Sequence, residues 1–556
     1  MDQSSGANSR MPDLSDRQGL LKGAGAPLGK TALRYEAEDR VLLRVLRDQA
    51  ADRGDHPWLI VDFESQITFA EGYNMSCRIG QALVRDGFGG SHVALFMNNQ
   101  VEFFPTMYGT HAAGGTAVPF HARTKGLHLH HIITKSDVSV IVVRDEFFQN
   151  LVDLDDIGAV RQIVVVGEAP QVESLHGAAV VNFNQWIAGL PAELPGDLPS
   201  WNENALIQFT SGTTGLAKGV VYSHHYLYLA SAILVDSLQQ TEDDVLFTPL
   251  PIYHVAAMHF VGNLSLHAGC TGHLMTSFSP GQYFQQAGRS GATFSIILGP
   301  MAAIIDKRTE TVPEHQLKVI YCPPAPPDLE RFESRFNVNV TYQGFGMTEI
   351  LPIPARPDLL PGKSIGAMGM PAQWMEYGVV DQDDRLLPPG EIGEMVFRSL
   401  IPHSMISEYY KDPEITVKAL RNFMFHTGDL AFYDEDGVMT FVGRKKDRIR
   451  RRGEMVGATE VEIPVLTLPT VIEAAAYGVP SELGEEDIKL DVVASEILDV
   501  PGLRSWCEKH LPSYMVPRYI EQRESFPKTP SERIEKHRLK EETLSRPEVF
   551  DFEGVQ

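Results

Sequence analysis

Cysteine is scarce. The four in 556 residues (Cys77, Cys270, Cys322 and Cys507) lie far apart, without the short spacings that gather a metal ion. Such usage argues against a disulfide framework or a thiolate metal site and fits a reducing cytoplasm. Positive charge is also short, with 48 Lys+Arg against 72 Asp+Glu and a formal net charge of −24. That balance argues against nucleic acid or an anionic membrane surface as partner, so a polyanionic ligand has to find a local basic site. No apolar run reaches the roughly 18 residues that a spanning helix needs, and no secretory signal or internal repeat is visible. A cytoplasmic protein without a membrane span is expected. What is present is ordinary for a soluble chain, 43% apolar and 22% charged residues. Its length exceeds what one compact core accommodates, so two or more domains are expected.

Helical and strand patterns alternate from about residue 36 to 442. Apolar residues recur at helical spacing over Leu42 to Ala51 and Tyr73 to Arg85. Val93 to Phe96, Val138 to Val143 and Val164 to Val166 read as short strands buried on both faces, as in α/β architectures. A polar, basic junction, Gly443-Arg444-Lys445-Lys446-Asp447-Arg448-Ile449-Arg450-Arg451-Arg452-Gly453, precedes a second unit. There Val461 to Leu468 and Pro501 to His510 read as helices and Ile472 to Val479 as a strand. The expected fold class is α/β, a large multi-subdomain N-terminal domain of sheets and packed helices followed by a small mobile α+β domain. The expected divisions are a mobile tail over 1–35, the large domain over 36–442, a hinge over 443–447, the small domain over 448–540 and a charged tail over 541–556.

The most informative stretch is Thr210-Ser211-Gly212-Thr213-Thr214-Gly215-Leu216-Ala217-Lys218-Gly219, with three glycines and five hydroxyl or ammonium side chains. Glycine lets backbone N–H groups turn toward an anion, and hydroxyls add donors around it. The loop lies between two strand-like runs, Ala205 to Phe209 and Val220 to Tyr222, and lacks the Walker order that closes a loop with Lys-Ser/Thr and opens a helix. It resembles the phosphate loop of the adenylate-forming superfamily, which includes acyl-CoA ligases, peptide-synthetase adenylation domains and luciferases. Ala217 stands where that family usually has Pro. Further motifs follow in family order over roughly residues 40 to 540.

By this resemblance, Thr210, Ser211, Gly212, Thr213, Thr214, Gly215 and Lys218 are expected around phosphate. Gly344-Phe345-Gly346-Met347-Thr348-Glu349 is similar to the family's Tyr-Gly-x-Thr-Glu segment. It implies Phe345 and Gly346 beside adenine, Thr348 on an α-phosphate and Glu349 as ligand of Mg²⁺, a hard cation suited to carboxylate and phosphate oxygens. Ala325, in Cys322-Pro323-Pro324-Ala325-Pro326, falls at the family's strand end near adenine, where the prolines remove N–H donors. Asp429, in His426-Thr427-Gly428-Asp429, is expected on the ribose hydroxyls, with Arg444 near ribose or phosphate. Pro249 to His254 matches the segment at the mouth of the acyl pocket, which implies His254 as its gate and Ala256, Ala257 and Gly344 beside the acid. Lys446 falls at the hinge on which the small domain swings between an adenylating and a thioester-forming pose. Arg448, Arg450, Arg451, Arg452 and Gly453 are expected to attract the phosphates of coenzyme A. His128, His130 and His131 are joined by no cysteine or carboxylate, and a metal role is not expected of them.

One departure matters most. Pro527-Lys528-Thr529-Pro530-Ser531-Glu532-Arg533-Ile534-Glu535-Lys536 resembles the family's terminal motif, where Gly-Lys occupies the positions of Glu532-Arg533. The family lysine bridges substrate carboxylate and α-phosphate as the acyl-adenylate forms. Arg533 keeps the charge but replaces a compact ammonium with a planar fork. Loss of one aimed electrostatic donor typically costs on the order of a hundred- to a thousandfold in rate. The expectation is therefore an acyl-CoA ligase-like enzyme weak in its own adenylation step. It would join the acyl group of an acyl-adenylate to coenzyme A and release AMP, with Mg²⁺ required if ATP is used. Its adenylate would come from weak self-catalysis or a separate adenylating enzyme, and its acid would be hydrophobic. The alternatives are a complete ATP-dependent ligase and a non-catalytic adenylate-binding protein.

Overall fold

The computed structural model describes residues 21–23, 27–168, 170–210, 216–326, 328–354, 367–451, 454–481, 486–529, 534–542, 544 and 547–552. It has an α/β fold with a large N-terminal domain of sheets and helices and a small C-terminal domain. An eight-stranded sheet is built around parallel strands, among them Thr116–Pro119, His92–Phe96, Val138–Arg144 and Gln162–Val166. Its Val- and Ile-rich strands are almost wholly buried, because helices cover both faces. The hairpin Asn204–Thr210/Lys218–Ser223 closes one side of this sheet. A seven-stranded sheet runs from Asn339–Thr341 through Val245–Thr248 to Ser65–Thr68. Helices Phe103–Ala112 and His224–Leu238 are buried along nearly their full length, with apolar side chains all round.

Local signals fix several boundaries. Thr68 and Glu71 form a reciprocal capping box, which starts the helix Phe69–Arg85 at Phe69, ahead of the expected Tyr73. The other expected helices form as Leu42–Arg53, Ala458–Leu466 and Val500–His510. A six-stranded sheet, Leu21–Lys22, Met375–Val380, Gly393–Ser399, Phe425–Tyr433, Met439–Arg444 and Ala367–Gly369 in spatial order, carries the end of the large domain. In the small domain, Val471–Pro480, Glu486–Ala494, Tyr519–Arg523 and Val549–Asp551 form a four-stranded sheet over its own apolar core.

Both expected tails need correction. Leu21 and Lys22 pair with Tyr377 and Glu376. Thr31 and Ala32 donate their N–H groups to Asp236, and Ala32 is fully buried. The expected tail is thus a strap over helix His224–Leu238 along its later part, while residues 1–20 lie outside the described residues. At the other end Val549–Asp551 pairs antiparallel with Tyr519–Arg523, so the charged tail completes a sheet.

Candidate active site

Antiparallel register places Thr210 opposite Lys218, with Thr210 Oγ1 3.5 Å from the Lys218 carbonyl. Ser211, Gly212, Thr213, Thr214 and Gly215, which join the two strands, lie outside the described residues. Lys218 is half-buried, and its Nζ stands 5.6 Å from the centroid of the Tyr409 ring. The main chain explains the approach. Tyr410 N–H donates to Gly219 O (2.7 Å) and Val221 N–H to Glu408 O (3.0 Å), so residues 407–410 run beside the Lys218 strand.

Glu349 sits at the turn between Gly344–Met347 and Ile350–Pro354 and is 7% exposed. Tyr409 OH donates to its Oε1 at 2.7 Å, and Ile406 N–H holds the Glu349 carbonyl at 2.9 Å. Burial raises the carboxyl above its ordinary range, opposed by the Tyr409 hydrogen bond and the charges of Arg444 and Lys218. A desolvated acid in this state gains from a nearby cation. One carboxylate of this kind fits Mg²⁺ shared with phosphate oxygens and water. Thr348, next in chain, accepts from Tyr226 OH through its carbonyl at 3.2 Å.

Asp429 and Arg444 are cross-strand neighbours in the six-stranded sheet, and Arg444 Nε lies 2.9 Å from Asp429 Oδ1. Asp429 is 2% exposed while Arg444 is about one-third exposed. Gly428 turns the chain just before Asp429 at φ +71°, and Thr427 Oγ1 accepts from Asp429 N–H at 3.0 Å. Behind this turn lies Glu394, whose Oε1 accepts from Gly428 N–H at 3.1 Å. Burial disfavours its charge, but hydrogen bonds from His426 and Lys445 hold its pKa down at about 2. The structure thus gathers Lys218, Glu349, Asp429 and Arg444, four residues far apart in sequence, into one electrostatic neighbourhood.

Other expected site residues are placed less tightly. Phe345 stacks against Phe397 at 5.7 Å between centroids, next to exposed Gly346 and half-buried Gly344. Ala325 is half-buried beyond Cys322, whose N–H is bound by Thr341 O at 2.8 Å. His254 caps the helical turn Val255–Ala257 by accepting from Ala256 N–H at its Nδ1 (3.2 Å), and Ala256 packs against the main core. His130 does have a carboxylate beside it, contrary to expectation: Nε2 lies 3.1 Å from Asp156 Oδ2, on the next part of the fold. His131 Nε2 bonds Ala217 O at 2.9 Å.

The basic run is not a uniform exposed face. Arg451 is 1% exposed and its Nε pairs with Asp487 at 3.3 Å, while a second nitrogen reaches Val516 O. Burial and these partners remove Arg451 from the expected set of coenzyme A-binding arginines. Arg448 and Arg450 lie on the strand Arg448–Arg451, with their side chains outside the described residues, as are Arg452 and Gly453. Lys446 lies in the helical turn Lys445–Asp447, again without a described side chain. Glu532 and Arg533 lie outside the described residues. Their flanks do not: Lys528 pairs with Glu473 at 2.5 Å and Lys536 with Glu462 at 2.6 Å, and residues 528 and 534 form an antiparallel bridge.

Tyr409 and Glu394 escaped the sequence reading. Tyr409 belongs to no motif, and its place is set by pairing beside Val220 across a long stretch of chain. Glu394 stands in an ordinary strand sequence, Gly-Glu-Met-Val, whose only signal is an acid at a position that the sheet then buries.

A desolvated acid with two cations near it and a second buried acid held by arginine suit an α/β enzyme that handles nucleotide phosphate. The comparisons with known proteins agree. Residues 46–410 match the family described as AMP-binding enzyme, and residues 460–533 match the AMP-binding enzyme C-terminal domain. The chain belongs to this AMP-binding, adenylate-forming family and is of the acyl-CoA ligase type. The crotonobetaine/carnitine–CoA ligase of Salmonella typhi is 30% identical over 464 residues, covering 81% of this chain and 88% of the relative. In fold, the chain is similar to the anthranilate CoA ligase AuaEII in complex with anthranoyl-AMP (TM-score 0.82, 23% identity, 91% of this chain and 98% of that one). It is likewise similar to a benzoate CoA ligase from Burkholderia xenovorans LB400 (TM-score 0.78, 20% identity, 90% and 100%). Among the described residues no helix is long and apolar enough to cross a membrane.

Proposed function

We propose that this protein makes an acyl-CoA thioester from an acyl-adenylate and coenzyme A, releasing AMP, and that it performs its own adenylation step weakly. The thiolate sulfur attacks the acyl carbonyl carbon, the carbon–oxygen bond to the phosphate breaks, and AMP leaves with the electron pair. Asp429 holds the ribose hydroxyls, with Arg444 beside it, and Thr348 and the Thr210–Gly215 loop receive the phosphate. Lys218 and the phosphate-loop region meet the negative charge that develops at the attacked carbonyl. His254, Ala256 and Gly344 border the acid, a hydrophobic aryl, alicyclic or fatty one. Where ATP is used, Glu349 holds Mg²⁺, which neutralises phosphate charge. Residues 443–447, with Lys446 at their centre, act as the hinge of the small domain.

The observation that carries the weak-adenylation reading is Glu532-Arg533 at the position of the family's Gly-Lys. The fold supports it from the flanks. Lys528 and Lys536, the nearest candidates to replace the missing lysine, are each committed to a largely buried glutamate of the small domain. The adenylate then comes from a separate adenylating enzyme or from slow turnover in place. A complete ATP-dependent ligase is the second reading, favoured by the 30% identical carnitine–CoA ligase relative.

Two assays separate them. Purified protein given synthetic acyl-AMP and coenzyme A should form thioester, while pyrophosphate exchange into ATP stays far below about 1 s⁻¹ with any acid. Arg533→Lys, alone or with Glu532→Gly, should raise exchange about tenfold or more and leave thioester formation nearly unchanged. Robust exchange by the parent protein would establish the complete ligase instead. Binding of acyl-AMP without turnover would establish a non-catalytic adenylate-binding protein.

A further inference from the structure

Glu394 makes contacts that neither the motifs nor the nucleotide site require, and they run in two directions. Toward the nucleotide site, Oε1 accepts from Gly428 N–H at 3.1 Å, in the tight turn that delivers Asp429. Away from it, Oε2 accepts from Lys445 Nζ at 3.0 Å. Lys445 directly follows Arg444, the last residue of the Met439–Arg444 strand, and opens the short turn that leads to Arg448–Arg451. The same Oε2 also faces Arg421 Nη2 at 3.1 Å and His426 Nδ1 at 3.4 Å. Arg421 is itself held by both oxygens of Asp384, at 2.7 and 2.8 Å.

These partners differ in how easily they leave. Glu394 and His426 are 6% and 2% exposed in their side chains, and Arg421 is anchored twice over. Lys445 is 45% exposed and belongs to the segment between the two domains. When Lys445 departs, the buried carboxylate keeps the Gly428 N–H, Arg421 and His426. It is therefore never left bare, which is what makes breaking a buried ion pair expensive. The half-exposed lysine is rehydrated in turn. The pair is built to open at low cost and close again on the same acceptor.

We propose that Glu394 is a positioning residue that ties the Asp429 turn to the interdomain segment, with Lys445 as a detachable latch holding the observed pose of the small domain. This rests on the hinge reading given above. One carboxylate then senses both ends: a ligand that tightens the Asp429 turn fixes Glu394, and Glu394 sets how firmly Lys445 is held. The coupling is reciprocal, so whatever frees Lys445 also alters the hold on the nucleotide.

The test uses the full chain labelled for distance measurement at Val417→Cys and Ile497→Cys. These positions are 72% and 95% exposed, one in each domain, and the four native cysteines are buried. Distances between spin labels are recorded without ligand, with AMP, and with AMP plus coenzyme A. The parent should show two distances whose populations move with ligand. Lys445→Met should lower the share of the ligand-free major distance about threefold or more and, through the same coupling, change AMP affinity by about twofold or more; Lys445→Arg should restore the parent populations and affinity. Glu394→Gln, whose amide oxygen still accepts from Gly428 N–H, should shift the populations in the same direction. Two distances with unchanged populations in Lys445→Met would overturn the latch alone. One distance under all conditions would overturn the hinge reading and the latch with it.

Discussion

Around Glu349 a buried acid has one hydroxyl at 2.7 Å and feels two cations that neither pair with it nor fully offset its burial. Around Asp491, in the small domain, an equally buried acid is closed in on all sides. Lys489 Nζ lies 2.7 Å from Asp491 and 2.5 Å from Glu521, Arg523 reaches Asp491, Glu521 and Glu542, and Tyr477 OH donates to Asp491 at 2.9 Å. Burial pushes both carboxyls up, and what differs is the number of countercharges around each. The first is left short of positive charge, the condition of a site awaiting a ligand. The second is surrounded by its countercharges, which fix the register of the strands Val471–Pro480, Glu486–Ala494 and Tyr519–Arg523. The acid with few countercharges stands at the candidate site, and the acid with many holds the strands of the small domain together.

The largest expected effects lie at the two extremes. Removing one member of the matched network, as in Lys489→Met, should destabilise the small domain by about 3–5 kcal/mol, since it leaves buried acids uncompensated. Denaturant unfolding monitored in that domain reads the loss, and AMP binding by the folded fraction should persist. Asp429→Ala should do the reverse, weakening AMP binding about 100-fold, as loss of charged hydrogen bonds of roughly 1.5–3 kcal/mol each implies, with stability little changed. Equal loss of binding in both variants would dissolve the contrast.

Glu349→Gln sharpens it further. The amide keeps an acceptor for Tyr409 but has no charge to desolvate. The raised carboxyl means that ionised Glu349 costs the folded state stability above its folded pKa, and this cost disappears in the variant. The melting temperature measured without ligand should rise, while ATP-dependent turnover falls about 100-fold. A lower melting temperature would mean that Glu349 is already matched.

Much of this was legible in the sequence because it is local. The strand pair Asn204–Thr210 and Lys218–Ser223, the Thr348-Glu349 turn and the Gly428-Asp429 turn each carry their residue types within a few positions, and strands rich in Val and Ile announce their burial. What could not be read is set by register between distant segments. Tyr409 meets Glu349 only because residues 407–410 align with Val220, and Arg421 meets Glu394 from the turn Arg421–Phe423 that precedes the neighbouring strand. Arg451 reads as one more solvated arginine until strand pairing turns it inward onto Asp487. The strand Val549–Asp551 is three residues among charges, with too little pattern to show before its partner Tyr519–Arg523 is known.

Smaller effects test the edges of the comparison. Glu394 is depressed to about 2 from an ordinary 4.5, so its contribution to stability is full above about pH 4.5 and is lost as pH falls toward 2. Glu394→Gln should therefore lower stability most at pH 7, where that contribution is full, and flatten the acid limb of the profile between about pH 4.5 and 2. Smallest of all, Lys528→Met and Lys536→Met should each change pyrophosphate exchange by less than about threefold, because both cations serve the sheet of the small domain. Abolition of exchange by either would show a lysine working in the place of Arg533.

The pairing of Leu21–Lys22 with Met375–Val380 has a practical corollary for handling the protein. A chain trimmed to begin at Glu36 would expose the backbone donors and acceptors of residues 375–377, at the margin of the six-stranded sheet. Unpaired margins of that sort recruit other chains by strand addition. Such a truncation should lose solubility on concentration before it loses any activity, and two residues outside the matched family region would prove to be what keeps neighbouring molecules apart.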